Sequence, residues 1–288
     1  MTNIPTVVGI NRTQDASIAI ARGADCVQSI QKERITRRKH HWGRPGDVRG
    51  RYLPRMPLLR EPIDLVVESY SSDAEIENIE AYRAELRESL SLKPDARMEL
   101  VSHHLAHIYS AFFPSPFDVA AGLIVDAQGS RVRDFTEPVP LSGASLELLE
   151  VGSFYRCERD GAKIECLAKQ LWDGDWSHPV GLGCFYYLLT RMLWPSGEGN
   201  EGKVMGLAPF GDPDAHRLPD LEVRGHEVFI PDAWMEAFAE RDRYCYFVDG
   251  TGTFHTRCSN SSSGCTGRPS CQTWCSRAAP RSIAQRTV

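Results

Sequence analysis

The sequence predicts a mixed α/β domain over residues 1–250, followed by a tail, residues 251–288, that forms no core. Three observations carry this reading. Short branched-apolar runs are separated by polar or glycine turns. Segments with a helical charge and apolar period lie between them. The composition changes abruptly near residue 250.

Residues 5–10 (PTVVGI) and 17–21 (SIAIA) are apolar runs joined by the polar turn Asn11–Asp15, the pattern of a β-hairpin. Residues 24–31 add a third strand ahead of the basic segment Lys32 to Arg51. IDLVVES (63–69) is a buried strand by its length and branching. Across 73–92, Ile76, Ile79, Leu86 and Leu90 recur on one helical face among charges. Met98 to Ser102 reads as strand and His103 to Phe113 as helix. AAGLIV (120–125) is a continuous apolar run, hence a central strand, closed by Asp126-Ala127-Gln128-Gly129. Further strands are expected at 145–151 and 164–167, and a helix over Gly181 to Leu193. Strand pairs, a crossover helix and a strand ending in a glycine turn define the α/β class.

Of the 288 residues, 42% are hydrophobic and 25% charged, ordinary for a soluble domain large enough to bury a core. The net charge of -5 argues against a nucleic-acid surface. All 38 acidic residues precede residue 251, so the body alone is more acidic than the whole. No apolar stretch is long enough to span a membrane, and Met1 to Pro5 does not open a secretory signal, so a cytoplasmic protein is expected. The tail holds five Arg, seven Ser and four Cys without Asp, Glu, Lys or Leu. It is expected to be disordered or out of frame. The competing reading is a zinc site from His255, Cys258, Cys265, Cys271 and Cys275. Their spacing lacks a paired C-x-x-C knuckle.

Four motifs bear on chemistry. In Val101-Ser102-His103-His104-Leu105-Ala106-His107, His103 and His107 are four apart and share one helical face, within reach of one metal ion. His104 points elsewhere and is structural. LIVDAQGS (123–130) ends an apolar strand in Asp126 and a glycine turn, a form that brings backbone N–H groups and a carboxylate to a phosphate–metal complex. The turn from Gly9 to Asp15 has the same form. Together they make the phosphate clamp expected of an actin-like ATPase fold. The glycine-rich segment 197–211 is no Walker loop, because Val204 follows Lys203 where Ser or Thr is required. KERITRRKH (32–40) is basic within an acidic body, and suits a strand facing an anionic small ligand.

Read in order, GINRTQDASIAI (9–20), KERITRRKH (32–40), SHHLAH (102–107), LIVDAQGS (123–130) and NEGKVMGLAPFG (200–211) resemble the antibiotic and nodulation O-carbamoyltransferases, which include the tobramycin, cephem and novobiocin enzymes. The resemblance covers about residues 5–248. It implies an actin-like, threonylcarbamoyltransferase-like fold, here incomplete. It also implies a second, smaller domain that makes carbamoyl-adenylate from carbamoyl phosphate and ATP with Mg2+. The larger domain would then pass the carbamoyl group to a hydroxyl of a small natural product beside bound iron or another divalent metal.

Carried over by position, His103 and His107 are the metal ligands. Asp15, Gln14 and Lys39 occupy catalytic positions, Lys39 and Asp126 facing carbamoyl-adenylate or acceptor. Gly129, Lys203 and Gly206 lie near the nucleotide. The chain departs from the pattern in three ways. Gln14 stands where the aminoglycoside enzyme has the His implied as general base, and a neutral amide takes no proton. Ala127 replaces a glycine. The later turn that supplies a further metal-binding Asp is missing, as expected of a truncated or frameshifted member. Two other readings remain: a non-catalytic nucleotide-binding fragment, and a relative of the tRNA threonylcarbamoyltransferases.

Overall fold

The computed structural model describes residues 4–70, 79–194, 199–211, 218–239, 244–248 and 254–258. The chain divides into two compact units. The first comprises residues 1–124, 129–150 and 154–167, and the second 125–128, 151–153 and 168–288.

The first unit is built on a five-stranded sheet of order β3-β2-β1-β4-β5. The strands are β1 (Thr6–Asn11), β2 (Ser17–Arg22), β3 (Asp25–Gln31), β4 (Ile63–Ser69) and β5 (Leu92–Val101). The expected hairpin forms, with Ile10 opposite Ile18 and Val8 opposite Ile20. β4 runs parallel to β1, and β5 parallel to β4, which requires crossover connections. Strand alternation turns Val8, Ile10, Ile18 and Ile20 to one face, where they pack with Val48, Met56, Leu59, Ile63, Val66 and Leu86.

Helices α1 (Lys32–Thr36), α2 (Ile79–Ser89) and α3 (His103–Phe112) complete the layer. The helix expected from residue 73 is described from Ile79, its first residues lying outside the described ones. It ends before Leu92 because Pro94 and the Lys93–Asp64 ion pair belong to an extended strand.

A three-stranded sheet of order β6-β7-β8 follows, from β6 (Val119–Val125), β7 (Leu149–Glu158) and β8 (Lys163–Trp172). Leu105, Ile108 and Phe112 of α3 pack on Tyr155, Cys157 and Cys166 of this sheet. The approach is close: a methyl group on Gly122 would lie 2.2 Å from the Ile108 side chain. Among the described residues β6 is an edge strand, not the central one expected from its sequence. Val119 and Leu123 on its outer face are 62% and 58% exposed.

In the second unit, α4 (Gly181–Leu193) falls where the sequence placed it. Its Phe185, Leu189 and Leu193 pack with Val204 of α5 (Glu201–Leu207), Ala208 and Trp234 of α6 (Asp232–Ala239). The Trp234 indole donates to the Pro219 carbonyl at 2.7 Å. Short hairpins pair β9 (Glu222–Arg224) with β10 (Glu227–Phe229), and β11 (Tyr244–Val248) with β12 (Phe254–Cys258). β12 lies inside the stretch expected to be disordered, since the β-rich run Tyr244–Val248 offers it a partner strand. The rest of that tail, with Cys265, Cys271 and Cys275, lies outside the described residues. No helix among the described residues is long and apolar enough to cross a membrane.

Candidate functional site

Two turns and one helix carry most of the residues singled out from the sequence. The β1–β2 turn is held from within and from below. Asn11 accepts the Thr13 N–H at 3.0 Å and donates to the Asp15 carbonyl at 3.2 Å. The guanidinium of buried Arg12 donates twice to Glu68 on β4, at 3.0 and 2.8 Å, and lies 4.0 Å over the Tyr82 ring. Gly43 donates to the Arg12 carbonyl at 3.0 Å. A side chain there would meet Arg12 backbone atoms at 2.8 Å. These contacts leave Asp15 presented at the surface.

Asp15 has a partner that the sequence did not suggest. His40 Nδ1 lies 3.0 Å from its Oδ1. His40 adopts φ 50, a left-handed conformation that a non-glycine residue rarely takes without a reason. Binding at Nδ1 fixes the imidazole tautomer and leaves Nε2 to accept a proton. Gln14 sits half-buried in the same turn.

The basic segment divides by depth. Lys32 turns inward, donating to Asp47 at 2.6 Å and to the Trp42 carbonyl at 2.5 Å, and burial lowers its pKa. Asp47 also accepts from Arg51 and from the Arg44 N–H, at 2.9 and 2.7 Å. Lys32 is thus an internal counter-ion, and the segment begins as helix α1. This corrects the expectation of a basic strand facing a ligand. Lys39 is 79% exposed, 3.5 Å from Glu33.

On α3 the i, i+4 spacing has the outcome expected of it. The Nε2 atoms of His103 and His107 lie 3.0 Å apart, their rings edge to face. His107 is exposed and His103 half-buried, whereas His104 on the opposite side is fully buried. Asp126 follows directly on the last residue of β6. Two imidazoles on one helical face form a pair of donors for iron, zinc or a similar divalent ion.

The helix is anchored at its first turn. His103 N–H donates to Ser130 Oγ at 2.9 Å, and His104 N–H to Glu150 Oε1 at 3.0 Å. Gly129 is required there for steric reasons, since a methyl group would lie 2.7 Å from Glu150 and 2.9 Å from His104.

In the second unit, the Asp126 N–H donates to Val151 at 3.1 Å, and Asp126 Oδ1 accepts the Ala127 N–H at 2.7 Å. The turn rests on the start of α4, where a side chain on Gly183 would meet the Asp126 carbonyl at 2.0 Å. The Cys184 thiol donates to the Ala127 carbonyl at 3.0 Å, and burial pushes its pKa up to about 12. Lys203 lies 5.9 Å over the Trp194 ring. Gly206, one turn further along α5, has open space around it.

Residues 75–226, more than half of the chain, match the model of the carbamoyltransferase N-terminus. This chain belongs to that family. It is 26% identical over 231 residues to the uncharacterized protein sll1178 of Synechocystis sp., covering 69% of this chain and 33% of that one. It is 33% identical over 122 residues to the nodulation protein NolNO of Sinorhizobium fredii, covering 42% of this chain and 14% of that one. With the nodulation protein NolO of Bradyrhizobium diazoefficiens it shares 30% identity over 117 residues, covering 41% of this chain and 16% of that one. The chain therefore spans about a third or less of the length of these relatives.

Proposed function

We propose that this chain is the larger-domain part of an O-carbamoyltransferase with an actin-like core. It would accept a carbamoyl group made into carbamoyl-adenylate from carbamoyl phosphate and ATP, and transfer it to a hydroxyl of a small natural product in the cytoplasm. The observation that carries the reading is the paired His103 and His107 on a helix inside the family-matched region. These two imidazoles would hold iron or another divalent ion as two of its ligands. Such an ion polarises a carbonyl oxygen and stabilises charge developing on it.

The chain's own residues supply the rest. Asp15 orients His40, whose Nε2 would take the proton of the acceptor hydroxyl, the task that Gln14 cannot perform. Lys39, exposed beside Glu33, would meet the anionic carbamoyl-adenylate, and Lys203 with Gly206 would face the nucleotide.

The test is a product assay by mass spectrometry. The chain is incubated with ferrous ion, preformed carbamoyl-adenylate and a panel of hydroxylated small molecules. A carbamoyl mass increment that disappears in the His103→Ala, His107→Ala double variant supports the reading. The short span against the relatives favours a second reading, a nucleotide-binding fragment without catalysis. It predicts millimolar ATP binding by calorimetry and no carbamoylated product from any acceptor.

A further inference from the structure

Glu150, at the start of β7, is a carboxylate with no exposed surface, and no part of the proposed chemistry uses it. Its Oε1 accepts two backbone N–H groups from different segments: His104 in the first turn of α3 and Ser130 in the turn after β6, each at 3.0 Å. Its Oε2 lies 3.5 Å from His104 Nδ1. Ser130, held by Glu150 through its N–H, accepts the His103 N–H on its hydroxyl. The first two amides of α3 are therefore satisfied by groups from outside the helix. The N-cap side chain of Ser102 makes no cap bond and pairs with Glu137 instead. A helix normally leaves its first four N–H groups without intrahelical partners, and a group that takes them keeps the first turn from fraying.

His103 is the first residue of α3, so the two rings meet only while that first turn stays helical. Fraying of the turn would part them. The negative charge of Glu150 at the positive end of the helix dipole adds to the hold. Gly129 keeps the space that the carboxylate and the His104 ring both need.

We infer that Glu150 is a positioning residue. Through the His104 and Ser130 amides it holds the first turn of α3 helical, and so keeps the His103 and His107 nitrogens together. The inference rests on the metal-binding reading of that pair, but the placement of the two rings can be measured without metal.

The experiment uses the full chain with labelled histidines. In metal-free protein, cross-relaxation between the His103 and His107 ring protons reports their separation. Cobalt(II) titration, followed by the visible spectrum, reports the pair as a ligand set. Glu150→Ala removes the acceptor, whereas Glu150→Gln keeps one carbonyl oxygen for both amides. The inference expects the ring cross-peak lost and cobalt affinity lowered about 10–100-fold in Glu150→Ala, with Glu150→Gln within about threefold of wild type. Ser130→Ala, which removes only the hydroxyl under His103, should give a smaller loss in the same direction, and serves if Glu150→Ala does not fold. An unchanged cross-peak and cobalt spectrum in folded Glu150→Ala, or in Ser130→Ala, overturns the inference. A wild type that shows the cross-peak but binds no cobalt sinks the metal reading and leaves the positioning role to be decided by the cross-peak.

Discussion

Arg12 and Glu68 meet inside the protein, at 2% and 1% side-chain exposure, with Tyr82 beneath the guanidinium. A buried pair of this kind is expensive to break, because the surviving charge has no water to turn to. Arg12→Ala should therefore destabilise the chain by about 3–5 kcal/mol in urea unfolding. Arg12→Ala with Glu68→Leu should recover much of that loss. The described cysteines should differ in reactivity for a related reason. Cys26 is exposed, whereas burial holds the Cys184 thiol at a pKa of about 12. Thiolate is the reactive form, so peptide mapping after brief alkylation should find Cys26 labelled well before Cys184. The residues that the sequence concealed share one property. Glu150 and Glu68 read as ordinary strand glutamates, and only long-range packing shows their carboxylates buried against His104 and Arg12. His40 was hidden inside a basic run, and its contact with Asp15 spans 25 positions.

The helix α3 shows what local pattern can and cannot reveal. Its i, i+4 histidines were legible because the α-helical period alone brings them together, and the buried face of Leu105, Ile108 and Phe112 has the same origin. His103→Ala and His107→Ala should each reduce bound divalent metal to background in elemental analysis. His104→Ala should retain it, at a cost of about 1–3 kcal/mol in stability. Equal loss in all three would mean that the helix, and not the pair, carries the site. β6 shows the opposite case. Its apolar run was legible as a strand, but its place at a sheet edge was not, because strand order depends on partners distant in sequence. The basic segment misled for the same reason: charge count does not reveal that Lys32 turns inward to Asp47.

At the scale of the molecule, β1, β2 and β4 were legible because their branched apolar residues alternate with less buried ones, whereas β5 was read only from Met98. The parallel pairing of β1, β4 and β5 was not legible. The first sheet is tied at its base by Asp64, which accepts the Thr6 N–H at 2.8 Å and pairs with Lys93. The Lys93 bond, then the Thr6 bond, lowers the Asp64 pKa. A carboxylate depressed in the folded state adds stability above its unfolded pKa of about 3.9, and loses it as the pH falls through the folded value. Asp64→Asn should therefore lower the melting temperature at neutral pH, and the difference from wild type should close in strongly acidic buffer. A gap that stays constant with pH would show that the ion pair contributes nothing.

The exposed strand β6 also bears on how this polypeptide fares once it leaves the ribosome. Natural sheet edges are often guarded by lysines or prolines, and VAAGLIV has neither. Leu123 and Val119 stand open beside it. Such a ribbon is a template on which a second copy, or any extended chain, can lay its own backbone. The same feature invites capture by chaperones and, failing that, precipitation or proteolytic clearance. The abundance of this protein in a cell would then be governed less by how well its cores are packed than by how quickly one bare strand finds cover.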